Sequence, residues 1–237
     1  MIDNDQVRAM SQFVARMQVE ASHQATAHTA LDQVSTLIPD TDWASMTLRL
    51  RGGRMTTLAS THDIATQADE LQYALDEGPC VENARGHDWY RSRDVAKDHR
   101  WPRWGPRVAE LGVGSLLSLQ LQEGGQPIGA LNLYAEHDGR FDDDSEIEFA
   151  ILYAAHLAVV LASTRRIDGL TTALHTRHTV GIAQGMLIER YGLDIDRSFA
   201  LLRRYSSHRN MKITDLAAQI VLTGQLPPDP EAGTSVD

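Results

Sequence analysis

His178–Val221 reads HTVGIAQGMLIERYGLDIDRSFALLRRYSSHRNMKITDLAAQIV. A 3.6-residue apolar pattern enters this stretch from upstream and runs to about Tyr191, where Gly192 is placed as a helix C-cap. Asp194 or Asp196 can N-cap a second helix, running to about Ser207 with Phe199, Leu202 and Ser206 on one face. Asn210 marks a turn. Ile213, Leu216, Ala217 and Ile220 then sit at i, i+3, i+4 and i+7, and Gly224 closes a third helix. The spacing predicts three short helices around one small core.

Charge sets this end apart. Residues 1–164 carry 13 basic and 24 acidic side chains, a balance of −11, whereas residues 165–225 carry 9 and 5, a balance of +4. The tail from 226 adds −3, for a total of −10. Between 197 and 212 stand Arg197, Arg203, Arg204, Arg209 and Lys212 with no acid. Arg203, Arg204 and Ser207 fall away from the expected apolar face, so the charge is expected in solvent. Asymmetry of this kind points to different partners for the two segments.

Upstream, Ile147, Ile151, Ala154, Ala158 and Leu161 form a heptad-like stripe that resumes at Ile167, Leu170 and Leu174. No proline interrupts residues 145–190; Gly169 is the weakest point, at about 1 kcal/mol relative to Ala. Such length predicts a dimerising coiled coil; the alternative is two core helices kinked near Arg165–Gly169. Earlier still, the period is two. Ala44, Met46, Leu48 and Leu50 alternate with Ser45, Thr47 and Arg49 as a half-buried strand, and Arg51–Arg54 turn the chain into a return strand, Met55–Thr61. Leu116–Leu121 and Ile128–Ala135 make two further strands joined by Glu123–Gln126, and Ala65–Leu75 reads as a short helix. Residues 4–38 read as one helix or two meeting at a bend near His23–His28, ended by Pro39. Residues 76–107 show little periodicity. Prolines 227, 228 and 230 leave a tail, 226–237, that reads as disordered.

With 42% apolar and 23% charged residues over 237 positions, collagenous and low-complexity classes are excluded. A single cysteine, Cys80, excludes an internal disulfide framework and any cysteine-based metal cluster. No unbroken run of about 18 apolar residues occurs, so no membrane span is expected. The N-terminus, with Asp3 and Asp5, lacks the basic flank and apolar run of a secretory signal, and the expected location is cytoplasmic.

Catalytic signals are weak. Cys80 has His87 and His99 nearby in sequence only, and reads as a small buried hydrophobe. His175 and His178 have i, i+3 spacing but no third metal ligand follows. Asp142–Asp144 opens a helix, where carboxylates suit the positive end of the dipole. No phosphate-cradling or dinucleotide fingerprint is present. Trp101 and Trp104 interleave with Arg100, Arg103 and Arg107, a pattern able to stack bases, but Asp94 and Asp98 sit beside it; a docked loop with its arginine heads in solvent is the favoured reading. No cofactor, metal or catalytic residue is assigned.

Three runs inside His178–Val221, IAQGMLIERYG, SFALLRRYS and NMKITDLA, closely resemble the ANTAR domain, a three-helix RNA-binding module of bacterial transcription antitermination regulators. Farther upstream, DEGPCVENA, DHRWPRWGPRVAELGVGSLLSLQL and GALNLYAEHDGRFDDDSE resemble the GAF domain that precedes ANTAR in many actinobacterial regulators. The resemblance implies an α+β chain: an N-terminal helix (1–23), a GAF domain with an antiparallel sheet flanked by helices (24–164), and an ANTAR bundle (165–225) joined by a coiled-coil-like helix. It implies binding of paired RNA stem-loops with six-nucleotide loops, a homodimer matching the two loops, and a GAF module that senses or dimerises, with an unidentified small-molecule ligand allowed. Arg190, Arg203, Arg204 and Lys212 are the candidate phosphate contacts, and Gln184, Ser206, Asn210 and Thr214 the candidate base-reading groups. Gln184 stands where many ANTAR members carry lysine. Reduction of free methionine sulfoxide, which some GAF domains perform, needs several cysteines. A DNA-binding helix-turn-helix regulator is the remaining alternative.

Overall fold

The alternation at residues 44–50 becomes strand β1 (Trp43–Arg49), and the hairpin at Gly52 and Gly53, both at positive φ (86° and 83°), leads into β2 (Met55–Ser60). The two later strands are β4 (Ser115–Glu123) and β5 (Gln126–Ala135). A fifth strand, β3 (Trp89–Ser92), pairs along β4 at the sheet edge. It lies in the aperiodic stretch 76–107, because four residues are too short to display a period. All neighbours are antiparallel, in the order β2-β1-β5-β4-β3. The computed structural model describes residues 4–17, 22–50, 52–83 and 88–228. Arg51, His87 and the tail from 229 lie outside them.

Three helices cover one face of this sheet: α1 (Asn4–Met17), α2 (His23–Leu37) and the first part of α6 (Asp144–Tyr191). Ser22 N-caps α2 by accepting from the Ala25 N–H at 3.1 Å, so His23–His28 is its first turn and a half rather than a bend. Alternate strand residues (Ala44, Met46, Leu48, Leu117, Leu119, Leu131, Leu133) meet Phe13, Leu31, Val34, Phe149, Tyr153 and Leu157 in one core. Tyr153 packs its ring 4.3 Å from Phe13 and donates its hydroxyl to the Ala30 carbonyl at 2.8 Å.

The opposite face carries α3 (Asp63–Leu75), α4 (Pro79–Asn83) and α5 (Trp104–Glu110), around a second core of Trp101, Trp104, Val108, Leu116 and Tyr134. Alternation predicts a solvated face for β1; instead Ser45 and Thr47 are as buried as Ala44 and Met46, all at 0% exposure. The polar half of the pattern faces a covered, hydrogen-bonded interior, which hydrophobic period alone cannot distinguish from water.

Helix α6 is continuous for 48 residues. Its expected dimer stripe is only partly available: Ile147, Ala154, Ala158 and Leu161 are all under 5% exposed, spent on the core of their own sheet, and Ile151 is half-exposed. Ile167, Leu170 and Leu174 stand 59–67% exposed. By length and composition, one stretch of α6 is long and apolar enough to cross a membrane. More than half of that stretch is buried in the fold, where its apolar side chains pack against the sheet; Glu148 and His156 interrupt it, so no unbroken apolar run is present even though its average is high enough for a span.

The chain divides after Ile167 into two compact units. The second contains the end of α6, then α7 (Ile195–His208) and α8 (Ile213–Thr223). Asp194 is the N-cap of α7, accepting from the Arg197 N–H at 2.7 Å. Gly192 and Gly224 take positive φ (61° and 71°) where α6 and α8 end. The core of this unit is small: Ala183, Leu187, Leu202, Leu216, Ala217 and Ile220.

Candidate nucleic-acid interface

The face that α7 buries differs from the expected one. Ser198 and Leu202 are fully buried, whereas Phe199 is 44% exposed. Ser198 takes the inward position because its hydroxyl is satisfied there. It donates to the Ile195 carbonyl at 2.7 Å and accepts from Gln184 Nε2 of α6 at 3.3 Å. A hydrophobicity pattern puts Phe199 inside; the hydrogen bonds put Ser198 there and turn Phe199 to solvent.

Arg203 and Arg204 are exposed, as expected, and neither enters a salt bridge among the described residues. Arg204 lies 5.9 Å from the Tyr205 ring centre, its guanidinium carbon over the face. Lys212 is exposed at the N-cap of α8 and makes no side-chain capping bond. Asn210, exposed, holds a left-handed φ of 49° at the α7–α8 turn, a conformation asparagine tolerates better than most residues. Thr214, half-buried, has its hydroxyl 3.3 Å from Asp215 Oδ1.

Three candidates are committed inside the unit. Gln184 ties α6 to the first turn of α7 through Ser198 Oγ and the Ile195 carbonyl, both at 3.3 Å. Ser206 donates to the Met211 carbonyl at 2.6 Å and braces the turn at Asn210. Arg190 donates to the Gly224 carbonyl, fastening the end of α6 to that of α8. A neutral amide at 184 suits a position whose partners are a carbonyl and a hydroxyl. Arg209, in the basic run, is half-buried and donates to the Pro228 carbonyl at 2.5 Å. In the basic run, Arg203, Arg204 and Lys212 stand in solvent with no ion pair among the described residues, Arg197 is exposed but meets Asp194 at 3.4 Å, and the base-reading candidates left at the surface are Asn210 and, beside Asp215, Thr214.

The sheet unit holds a second polar site, which no sequence motif indicates. Asp69 of α3 is fully buried. Its carboxylate accepts from Ser45 Oγ (3.0 Å), Thr57 Oγ1 (2.9 Å), Asn132 Nδ2 (3.0 Å) and Tyr134 OH (2.8 Å). Burial drives its pKa up to about 6 even though all four bonds pull it down. Asn83, Ser118 and Asn132 extend the network through bonds of 2.8 and 2.6 Å. The available signal was the polar half of three strands: Ser45 and Thr47, Ser118 and Gln120, Asn132 and Tyr134.

Cys80 sits beside this network, its sulfur 3.0 Å from Thr47 Oγ1. Burial, and then the charge of Asp69, push the thiol up to about 12, so it stays protonated and a poor nucleophile. His99 is exposed at the surface, away from that interior; His87 is outside the described residues. His175 and His178 are exposed on α6. Asp142 pairs with Arg93 at 2.6 Å, and Asp143 accepts from the Ser145 N–H at 2.8 Å where α6 starts.

The tryptophan–arginine loop is docked. Trp101 and Trp104 are fully buried edge to face, ring centres 5.7 Å apart, and Trp104 Nε1 donates to the Ala68 carbonyl at 3.0 Å. Arg100 pairs with Asp98 at 2.6 Å and Arg103 with Glu77 at 3.2 Å. Their rings are therefore unavailable to stack bases.

Comparison with known proteins agrees with this division. A GAF-domain model matches residues 20–162, more than half of the chain, and an ANTAR-domain model matches residues 168–221. No curated protein matches the chain. Among solved structures, the GAF domain of an Acinetobacter phosphoenolpyruvate-protein phosphotransferase aligns with 16% identity and a TM-score of 0.55, over 71% of this chain and 99% of that one. The corresponding Coxiella burnetii domain gives 15% identity and 0.56 over 69% and 96%. The photosensory core module of the Stigmatella aurantiaca phytochrome gives 11% and 0.57 over 85% and 44%. At these identities the likeness is one of fold alone. The five-stranded antiparallel sheet with helices on both faces and the basic helical unit that follows it in the sequence thus have one reading: the chain belongs to the GAF family and joins its GAF domain to a C-terminal ANTAR domain, the architecture of a regulator with a sensor domain.

Proposed function

We propose that the chain is a transcription antitermination regulator, without catalytic activity of its own, that works in the cytoplasm as a homodimer. Its ANTAR domain binds paired six-nucleotide-loop RNA hairpins in nascent leader transcripts, stabilising an antiterminator at the expense of a terminator. The observation that carries this reading is the set of exposed cations, Arg197, Arg203, Arg204 and Lys212, in the matched ANTAR segment of a chain acidic elsewhere. Loop bases are unstacked and readable on their edges, while stems are held through phosphates. Asn210 and Thr214 suit the first contact and the arginines the second. The GAF domain acts as sensor, dimerisation module or both, and the exposed Ile167, Leu170 and Leu174 supply an apolar seam for a second copy.

The test is a titration of the full chain with a two-hairpin RNA and with duplex DNA of matching length, with light scattering on the same samples. Tight binding to the RNA alone, by a species of twice 26.3 kDa, is expected. Preference for the duplex would replace this reading with a helix-turn-helix regulator.

A further inference from the structure

Helix α7 carries a feature that the list of exposed charges does not describe. Arg197, Ala200, Leu201 and Arg204 stand at i, i+3, i+4 and i+7, so they share one flank of the helix. Together with Leu193, from the turn between α6 and α7, they line a surface depression of about 260 Å³. Leu193, Ala200 and Leu201 give it an apolar floor, and a guanidinium stands at either end. The depression exists because Ala200 projects only a methyl group. Its shape is held by the Gly192 turn at φ 61° and by the Asp194 cap of α7.

The volume sits below the about 300–1,000 Å³ of sites that enclose drug-sized ligands. It suits one planar ring system rather than a larger cofactor. The ends are positive: Arg197 meets Asp194 at 3.4 Å with both side chains mostly in solvent (78% and 60%), a weak pairing easily exchanged. Arg204 lies against the Tyr205 ring and is exposed. An apolar floor takes the face of a ring, the guanidiniums pair with the phosphates beside it, and the whole favours an anionic partner. A paired base in a duplex cannot enter; an unstacked base with its own phosphate can.

We infer that this depression is a receptor for a single flipped-out base of an RNA loop, with Arg197 and Arg204 holding the flanking phosphates. The inference rests on the RNA-binding reading above and deepens it by naming a pocket distinct from the Asn210–Thr214 turn.

The experiment uses the full chain and a two-hairpin RNA carrying 2-aminopurine at one loop position at a time. Ala200→Leu fills the floor without touching charge. It is expected to weaken RNA binding roughly tenfold, to leave the salt dependence unchanged, and to abolish the fluorescence change at one loop position. Arg204→Lys, which keeps the charge and suits a helix, is expected to weaken the same fluorescence response, since an ammonium cannot pair with the flanking phosphate in the two-pronged way of a guanidinium. Wild-type affinity and fluorescence in a folded Ala200→Leu chain overturn the pocket while leaving RNA binding intact. Absence of RNA binding by the unaltered chain overturns both.

Discussion

The two units bury polar groups in opposite ways. The GAF domain encloses a carboxylate, several hydroxyls and amides, and a thiol between its sheet and α3–α4, and satisfies Asp69 with four hydrogen bonds. The ANTAR domain buries little beyond Ser198 and leaves all its cations but Arg209 exposed. Size accounts for the contrast. A domain with two cores and a sheet covered on both faces can absorb the desolvation of a charged group; a unit resting on one cluster of six buried apolar side chains cannot. The interior of the first is suited to respond to what alters a buried network. The second is suited to present charge.

The largest expected effect strikes the smaller core. Leu202→Ala removes a fully buried side chain from the six-residue cluster and should cost about 2–5 kcal/mol. Amide exchange should show α7 and α8 losing protection while β4 and β5 keep theirs. Equal loss in both units would erase the contrast.

Next comes pH. The pKa of Asp69 is raised from 3.8 to about 6 in the folded chain, so folding takes up a proton between those values. The stabilisation linked to its protonation is complete below about pH 4 and is lost as pH rises through 6. Its size is on the order of 3 kcal/mol, at about 1.4 kcal/mol for each tenfold change in proton affinity. Denaturant midpoints measured from pH 4 to 7 should fall in wild type, and Asp69→Asn should flatten that part of the curve. An unchanged curve in the variant places the titration elsewhere.

Smaller effects belong to the surface. Arg203→Ala and Arg204→Ala should each shrink the slope of log K against log salt by about 0.7–0.9, with stability unchanged, since neither has a salt-bridge partner among the described residues. Asn210→Ala should instead reduce affinity with little change in slope. Unaltered slopes for both arginines would remove α7 from the phosphate-binding face.

The smallest effect is expected at Cys80. Cys80→Ser keeps a hydroxyl within reach of Thr47, and stability should drop by about 1 kcal/mol with RNA affinity unchanged. Loss of RNA binding in a folded variant would tie the interior network to the basic unit.

Much of the architecture was legible in the residues themselves. The period-two and period-3.6 segments located four strands and most helices, Gly192, Asp194 and Gly224 marked the ends of the last three, and the charge partition separated the two units. These signals are local, because dihedral preference, capping and spacing are properties of neighbours along the chain. What tertiary structure alone decided was which polar side chains face water. Ser45, Thr47 and Asn132 read as one side of half-buried strands until α3 brings Asp69 onto Ser45 and Asn132, and α4 brings Cys80 onto Thr47. Ser198 displaces Phe199 from the inner face of α7 because Gln184, fourteen residues away, is there to bond it. Ile147, Ala154, Ala158 and Leu161 read as a partner's seam until the sheet claims them. In each case the partner is distant in sequence, and hydrogen bonds and contacts across that distance leave no period in the chain.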